Sequence, residues 1–79
     1  MQSVTVRHFA QLREQRGCDQ EEVAFEPGLT MGELYAQLFA DTPLSSLPVG
    51  YAMAHEVVGP DSTLVDGAEV AFLPPVGGG

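Results

Sequence analysis

The residues best placed to do chemistry stand at the end of the sequence: Pro74-Pro75-Val76-Gly77-Gly78-Gly79 and the carboxyl group that follows them. Glycine has no Cβ, so its backbone can approach other groups closely and take φ/ψ values closed to other residues. A glycine tail contributes no packing and is costly to order, but it can slide an acyl group into a narrow site. Pro74 and Pro75 cannot donate ladder hydrogen bonds. They are expected to lead from a folded body, residues 1–76, to a flexible Gly77-Gly78-Gly79 tip. Ordinary terminal fraying is the competing reading.

The rest of the chain offers little catalytic equipment. His8 and His55 are not spaced as metal ligands, and Cys18 alone cannot complete a zinc site, so no metal centre is expected. His8 reads as a strand-end or edge residue and His55 as a turn residue. Cys18 follows Gly17 in a predicted loop, with Arg16 the one cation close in sequence. Glu21-Glu22, Asp61 and Asp66 read as solvated loops and turns. No nucleophile–base–orienter set and no phosphate loop is visible.

Composition narrows the function classes. With 79 residues, one domain is expected. The hydrophobic share of 44% suits a globular fold. A formal net charge of −8 repels phosphate backbones, so nucleic-acid binding is not expected, whereas basic protein surfaces should attract this chain. The chain has no lysine, which excludes a Schiff base, a Walker-type lysine and a side-chain amine acceptor. A single cysteine rules out an intrachain disulfide. Neither a secretion signal nor a membrane-spanning run is seen, so the expected location is cytoplasmic.

The elements that must position the tail follow from periodicity. Val4 and Val6 alternate with Thr5 and Arg7, predicting a strand over Ser3–Phe9. Ala10–Arg16 reads as a short helix stopped by Gly17. Glu22–Glu26 alternates again. Thr30 and Glu33 form a capping-box signature, and Met31, Leu34, Tyr35 and Leu38 keep the spacing of a buried stripe, predicting the main helix over Met31–Ala40. Tyr51–Val58 reads as a strand broken by a turn near His55-Glu56. Thr63–Val65 reads as a very short strand or 3₁₀ turn, and Ala68–Leu73 as the last strand. This order predicts an α+β fold with a small mixed sheet and one main helix on one face.

Strand parity separates two sets of residues. Val4, Val6, Val70 and Phe72 should face the helix. Phe9 and Leu73 then fall on the uncovered side, where large apolar residues mark a docking surface. For Phe9 the alternative is a turn back into the core beyond the strand end.

Three stretches carry a resemblance: Phe9-Ala10-Gln11-Leu12-Arg13-Glu14, Thr30-Met31-Gly32-Glu33-Leu34, and the run from Asp66 through Phe72-Leu73-Pro74-Pro75-Val76 to Gly79. With the order of elements, they resemble the small, sulfur-carrying subunit of molybdopterin synthase, in the ubiquitin-like β-grasp superfamily. The resemblance implies that Gly79, preceded by Gly78, is the acyl site. An E1-like adenylating enzyme would use ATP to form a transient acyl-AMP there. A persulfide donor would then convert it to a thiocarboxylate. The thiocarboxylate would donate sulfur to a cyclic pyranopterin phosphate, building the dithiolene that later holds molybdenum. The large synthase subunit would bind Phe9, Arg13, Leu73, Pro74, Pro75, Val76 and Gly77, in a heterotetramer. No tightly bound cofactor is implied, and this chain would be a non-catalytic donor within the enzyme. Three places depart from the family pattern: Gly77, Ala68, and the strand Ala52-Met53-Ala54-His55-Glu56, where an asparagine is usual near the turn.

Other readings of the same tail are sulfur carriage for thiamine or tRNA thiolation, and a protein modifier joined to lysines of other proteins. A passive interaction module with an inert tail is the last.

Overall fold

The computed structural model describes residues 1–75. It contains five strands and two helices: β1 (Gln2–Arg7), α1 (Ala10–Arg16), β2 (Gln20–Phe25), α2 (Met31–Leu38), β3 (Gly50–Met53), β4 (Glu56–Val58) and β5 (Glu69–Leu73). The sheet order is β2-β1-β5-β3-β4. β1 and β5 run parallel at the centre, pairing Thr5 with Glu69 and Arg7 with Ala71. The remaining pairs are antiparallel. This is the mixed β-grasp sheet expected from the sequence.

α2 begins where Thr30 and Glu33 cap each other. The Glu33 backbone N–H donates to Thr30 Oγ1 at 3.2 Å, and the Thr30 N–H donates to Glu33 Oε1 at 3.0 Å. Two orphan N–H groups of the first turn are thereby satisfied. The helix ends at Leu38, with Phe39 as its C-cap, two residues earlier than the stripe predicts. Met31, Leu34, Tyr35 and Phe39 are buried against Val4, Val6, Val70 and Phe72, so the valine faces do meet the helix. Tyr35 stacks on Phe39 with ring centroids 4.7 Å apart, and meets Phe72 edge-on at 5.0 Å. Its hydroxyl donates to the Leu44 carbonyl at 2.6 Å, giving this buried tyrosine a partner and pinning the Pro43–Pro48 loop to the helix.

The predicted strand over Tyr51–Val58 is a hairpin. Met53 pairs with Glu56, leaving Ala54 and His55 as a two-residue loop, both at positive φ (53° and 68°). Two successive left-handed residues match the right-handed twist of the flanking strands, but alanine and histidine pay a steric penalty there. Asparagine and glycine tolerate that geometry better. Thr63–Val65, read as a very short strand or 3₁₀ turn, is neither: it contributes an isolated bridge between Thr63 and Thr30.

Ala54 and His55 are both exposed, so replacing them tests backbone strain without disturbing packing. The double variant Ala54→Asn, His55→Gly should gain about 1 kcal/mol in unfolding free energy. Urea melts of both proteins, with unchanged slope, are the check.

Candidate functional site

Parallel pairing of β1 with β5 decides where the tail leaves the body. Arg7 and Ala71 lie side by side, so two residues further along each strand Phe9 and Leu73 reach the same end of the sheet. Phe9 is 42% exposed and Leu73 39% exposed. Phe9 does not turn back into the core. It is the N-cap of α1, in extended conformation, and Ala10 follows at φ 50°. That left-handed residue lets the chain reverse into the helix while the Phe9 ring stays outside. Leu12 buries the opposite side of α1, leaving Arg13 exposed. Pro74 is half-buried and Pro75 exposed. Val76, Gly77, Gly78 and Gly79 lie outside the described residues.

The register extends this surface across the sheet. On the uncovered side Arg7, Ala71, Ala52 and Val57 form one cross-strand row, and Leu73 stands beside Gly50 in the next. Ala52 and Ala71 are small, so the row is a shallow apolar strip bordered by Phe9, Leu73 and Val57. Val57 is 82% exposed. The Arg7 guanidinium sits 6.0 Å from the Phe9 ring centroid and 3.8 Å from Glu69, placing a cation at the rim. Sequence reading missed Val57. The signal was there in the hairpin, because Ala54-His55 fixes which of Val57 and Val58 faces outward.

Behind this surface stands a polar cluster that the sequence reading misplaced. His8 does stand at a strand end, directly after Arg7 of β1, but it is not an exposed edge residue: it keeps the parity of Val4 and Val6 and is 1% exposed. Glu21 is not in a solvated loop but within β2, which starts at Gln20 rather than Glu22 because Arg7 and His8 extend the ladder to Gln20 and Asp19. Glu21 Oε2 lies 2.7 Å from His8 Nε2, and Arg16 donates to both Glu21 oxygens, at 2.7 and 2.9 Å. A further Arg16 N–H reaches the Leu38 carbonyl at 3.0 Å, satisfying the last turn of α2. One guanidinium thus ties α1, β2 and α2 together. The bidentate Arg16 pair, reinforced by the His8 hydrogen bond against a desolvation cost, lowers the Glu21 carboxyl pKa to about 2. The same hydrogen bond raises the Arg16 pKa.

Cys18 joins this cluster. Donor atoms of His8, Cys18 and Glu21 lie within 4.8 Å of one another, a set that the sequence spacing did not reveal. Two features set it against metal binding. Arg16 already occupies both Glu21 oxygens. A metal on His8 Nε2 would also move the ring proton to Nδ1, which is buried and has no hydrogen-bond partner among the described residues. Cys18 is no activated nucleophile either: desolvation, then the Glu21 charge, push its thiol pKa up, against the opposing pull of Arg16. The cluster is a brace for α1, the helix that carries Arg13 and has Phe9 as its N-cap.

The family profile for the ThiS family matches residues 6–79. Among solved structures, a Pyrococcus furiosus protein named molybdopterin converting factor, subunit 1, superposes with a TM-score of 0.82 at 25% identity, covering 96% of this chain and 100% of that one. SAMP1 from Haloferax volcanii superposes with a TM-score of 0.78 at 25% identity, covering 98% and 99%. A protein–protein complex of subunits 1 and 2 of molybdopterin-converting factor from Helicobacter pylori contains a chain of the same fold, with a TM-score of 0.63 at 24% identity, covering 98% and 99%. No curated protein sequence matches. Among the described residues no helix is long and apolar enough to cross a membrane.

Glu21→Gln should cost about 1–3 kcal/mol of stability, because it strands Arg16 and removes the charge from its partner. The sign of the pH effect follows from the depressed carboxyl: its contribution is complete above pH 4.5 and is lost as pH falls towards about 2. Unfolding free energy measured from pH 7 to pH 2 should therefore converge for the two proteins at the acid end. With the family match reaching the terminal glycine, the chain belongs to the ThiS family, the sulfur-carrier type of ubiquitin-like protein.

Proposed function

We propose that this protein is the sulfur-carrying subunit of a molybdopterin synthase. The observation that carries the reading is the convergence of Phe9 and Leu73 at the sheet end from which Pro74-Pro75 leads to the terminal glycines. Such a surface can seat the body on a partner while the tail enters the partner's site.

The chemistry requires activation because a carboxylate is a poor acyl electrophile. An E1-like enzyme joins a Gly79 carboxylate oxygen to the α-phosphorus of ATP, releasing pyrophosphate. A persulfide sulfur attacks the acyl carbon and AMP leaves. A thiol reductant then cleaves the S–S bond, itself ending in a disulfide with the donor's sulfur, and leaves a thiocarboxylate. Its soft sulfur bonds to a carbon of the pterin precursor held by the large subunit, and water hydrolyses the resulting thioester to return the Gly79 carboxylate. Each carrier delivers one sulfur, so a dithiolene requires two deliveries. Ordering Gly77, Gly78 and Gly79 in a channel costs roughly 1–2 kcal/mol per residue. Burial of the Phe9, Leu73 and Val57 strip, at about 25 cal/mol per Å², offsets it. Acid–base and electrostatic catalysis belong to the partners.

Two relatives bear on the choice of acceptor. The Pyrococcus furiosus protein carries a molybdopterin name, and the Helicobacter pylori chain was solved with its subunit 2. The SAMP1 neighbour favours a second reading, a protein modifier. Having no lysine, this chain could not be extended through its own side chains.

Copurification from the native host separates the readings. A pterin-binding large subunit should be retained by the wild-type protein, with binding weakened at least about tenfold by Phe9→Ala or Leu73→Ala, a loss of about 1.4 kcal/mol or more. Deleting Gly79 should leave that complex intact yet abolish dithiolene formation. Recovery of a ladder of larger conjugates in place of the large subunit would overturn the synthase reading in favour of the modifier.

A further inference from the structure

We infer that the free edge of β2 is a second docking site, which takes an extended, apolar peptide segment with basic flanks from a partner protein. The argument starts from backbone directions. The Thr5 N–H donates to the Ala68 carbonyl, and the Ser3 carbonyl accepts from Gly67, so Ser3 and Thr5 direct their polar groups towards β5. Val4 and Val6 therefore face β2, as the His8 N–H does in bonding Asp19. Across that ladder Glu21, Val23 and Phe25 are the hydrogen-bonded partners. Gln20, Glu22 and Ala24 must then turn their N–H and C=O groups away from the sheet, at its outer edge. All three are exposed, and none has a turn or loop backbone bond among the described residues. They present alternate donor–acceptor pairs, the pattern an added strand requires.

Beside this edge runs a groove of about 240 Å³, lined by Met1, Ala24, Phe25, Glu26, Leu29 and Gln37. Its apolar floor lies where alternate side chains of an added strand would fall. At the Phe25 end of β2 the rim carries Glu26 in the lining and Glu22 on the edge itself against the single α-amino group of Met1, while Arg7 and Arg16 meet β2 at its other end, beside Gln20 and Glu21. This complementarity selects a lysine- or arginine-flanked segment. It also disfavours a second copy of this chain, since edge-to-edge pairing would set Glu22 and Glu26 against like charges. Phe25 pairs with Gln2, at the opposite end of the sheet from Leu73. A partner held here leaves the Phe9–Leu73 surface and the tail free, so the site can bring one protein to the carrier while another works on its terminus.

The test uses the full chain, labelled with nitrogen-15, and two synthetic peptides of alternating valine and isoleucine, one flanked by lysines and one by glutamates. The lysine peptide should shift the amides of Gln20, Glu22 and Ala24 and the signals of Phe25 and Leu29, with the Val57 and Leu73 signals unmoved. Ala24→Pro removes one outward N–H without touching the β1 ladder, and should weaken binding about tenfold. Should that variant unfold, the double change Glu22→Lys, Glu26→Lys serves instead, and should reverse the preference between the peptides. Shifts confined to the Val57–Leu73 strip, unchanged affinity in these variants, self-association through β2, or no binding of either peptide would each overturn the inference.

Discussion

Parallel pairing of the first strand with the last is the constraint on which the rest depends. It is a non-local contact, joining residues from the two ends of the chain, and it needs everything between them to fold around one helix. Its geometric result is simple. The two strands finish at the same end of the sheet, so the start of α1 and the exit of the tail become neighbours. Had the pair been antiparallel, Phe9 and Leu73 would stand at opposite ends. The glycine tip would then leave the body from a bare edge.

The polar cluster behind that end supports the same geometry. α1 has a single buried residue, Leu12, and no side-chain cap at its N-terminus. Seven residues with so little apolar burial do not hold a fixed orientation by themselves. Arg16 supplies what the helix lacks, reaching Glu21 on β2 and the Leu38 carbonyl on α2. The hydrogen-bond fork of a guanidinium suits this task in a way an ammonium does not. His8 completes the brace from the core side, its ring edge-on to Phe39 at 5.9 Å. The position and tilt of α1, with Phe9 at its start, thus rest on one half-buried carboxylate and its two partners.

Much of this was legible in the residues. Ala10–Arg16 was bounded correctly because Gly17 stops it in the left-handed region, at φ 78°. The Thr30–Glu33 cap, the helix stripe and the outward parity of Leu73 were likewise local signals. Misreadings came where tertiary contacts decide. Glu21-Glu22 looks solvated in sequence, since nothing local announces that Arg16 and His8 converge on Glu21. His8 looks like an edge residue because histidine tolerates exposure, yet its parity with Val4 and Val6 pointed inward. Phe39 was included in the main helix, whereas it caps the helix and fills the core beside Phe72. Val57 needed the hairpin register before its outward direction could be read.

The account rests on the terminal acyl group as the atom-transfer point, with the body as its carrier. Intact-mass spectrometry of the protein, expressed together with its own sulfur machinery, addresses this most directly. A fraction of molecules should carry one sulfur in place of one oxygen at the C-terminal residue, and that fraction should vanish when Gly79 is deleted. A uniform carboxylate population under the same conditions would contradict the account, as would continued cofactor synthesis by a variant blocked with an untrimmed extra residue after Gly79.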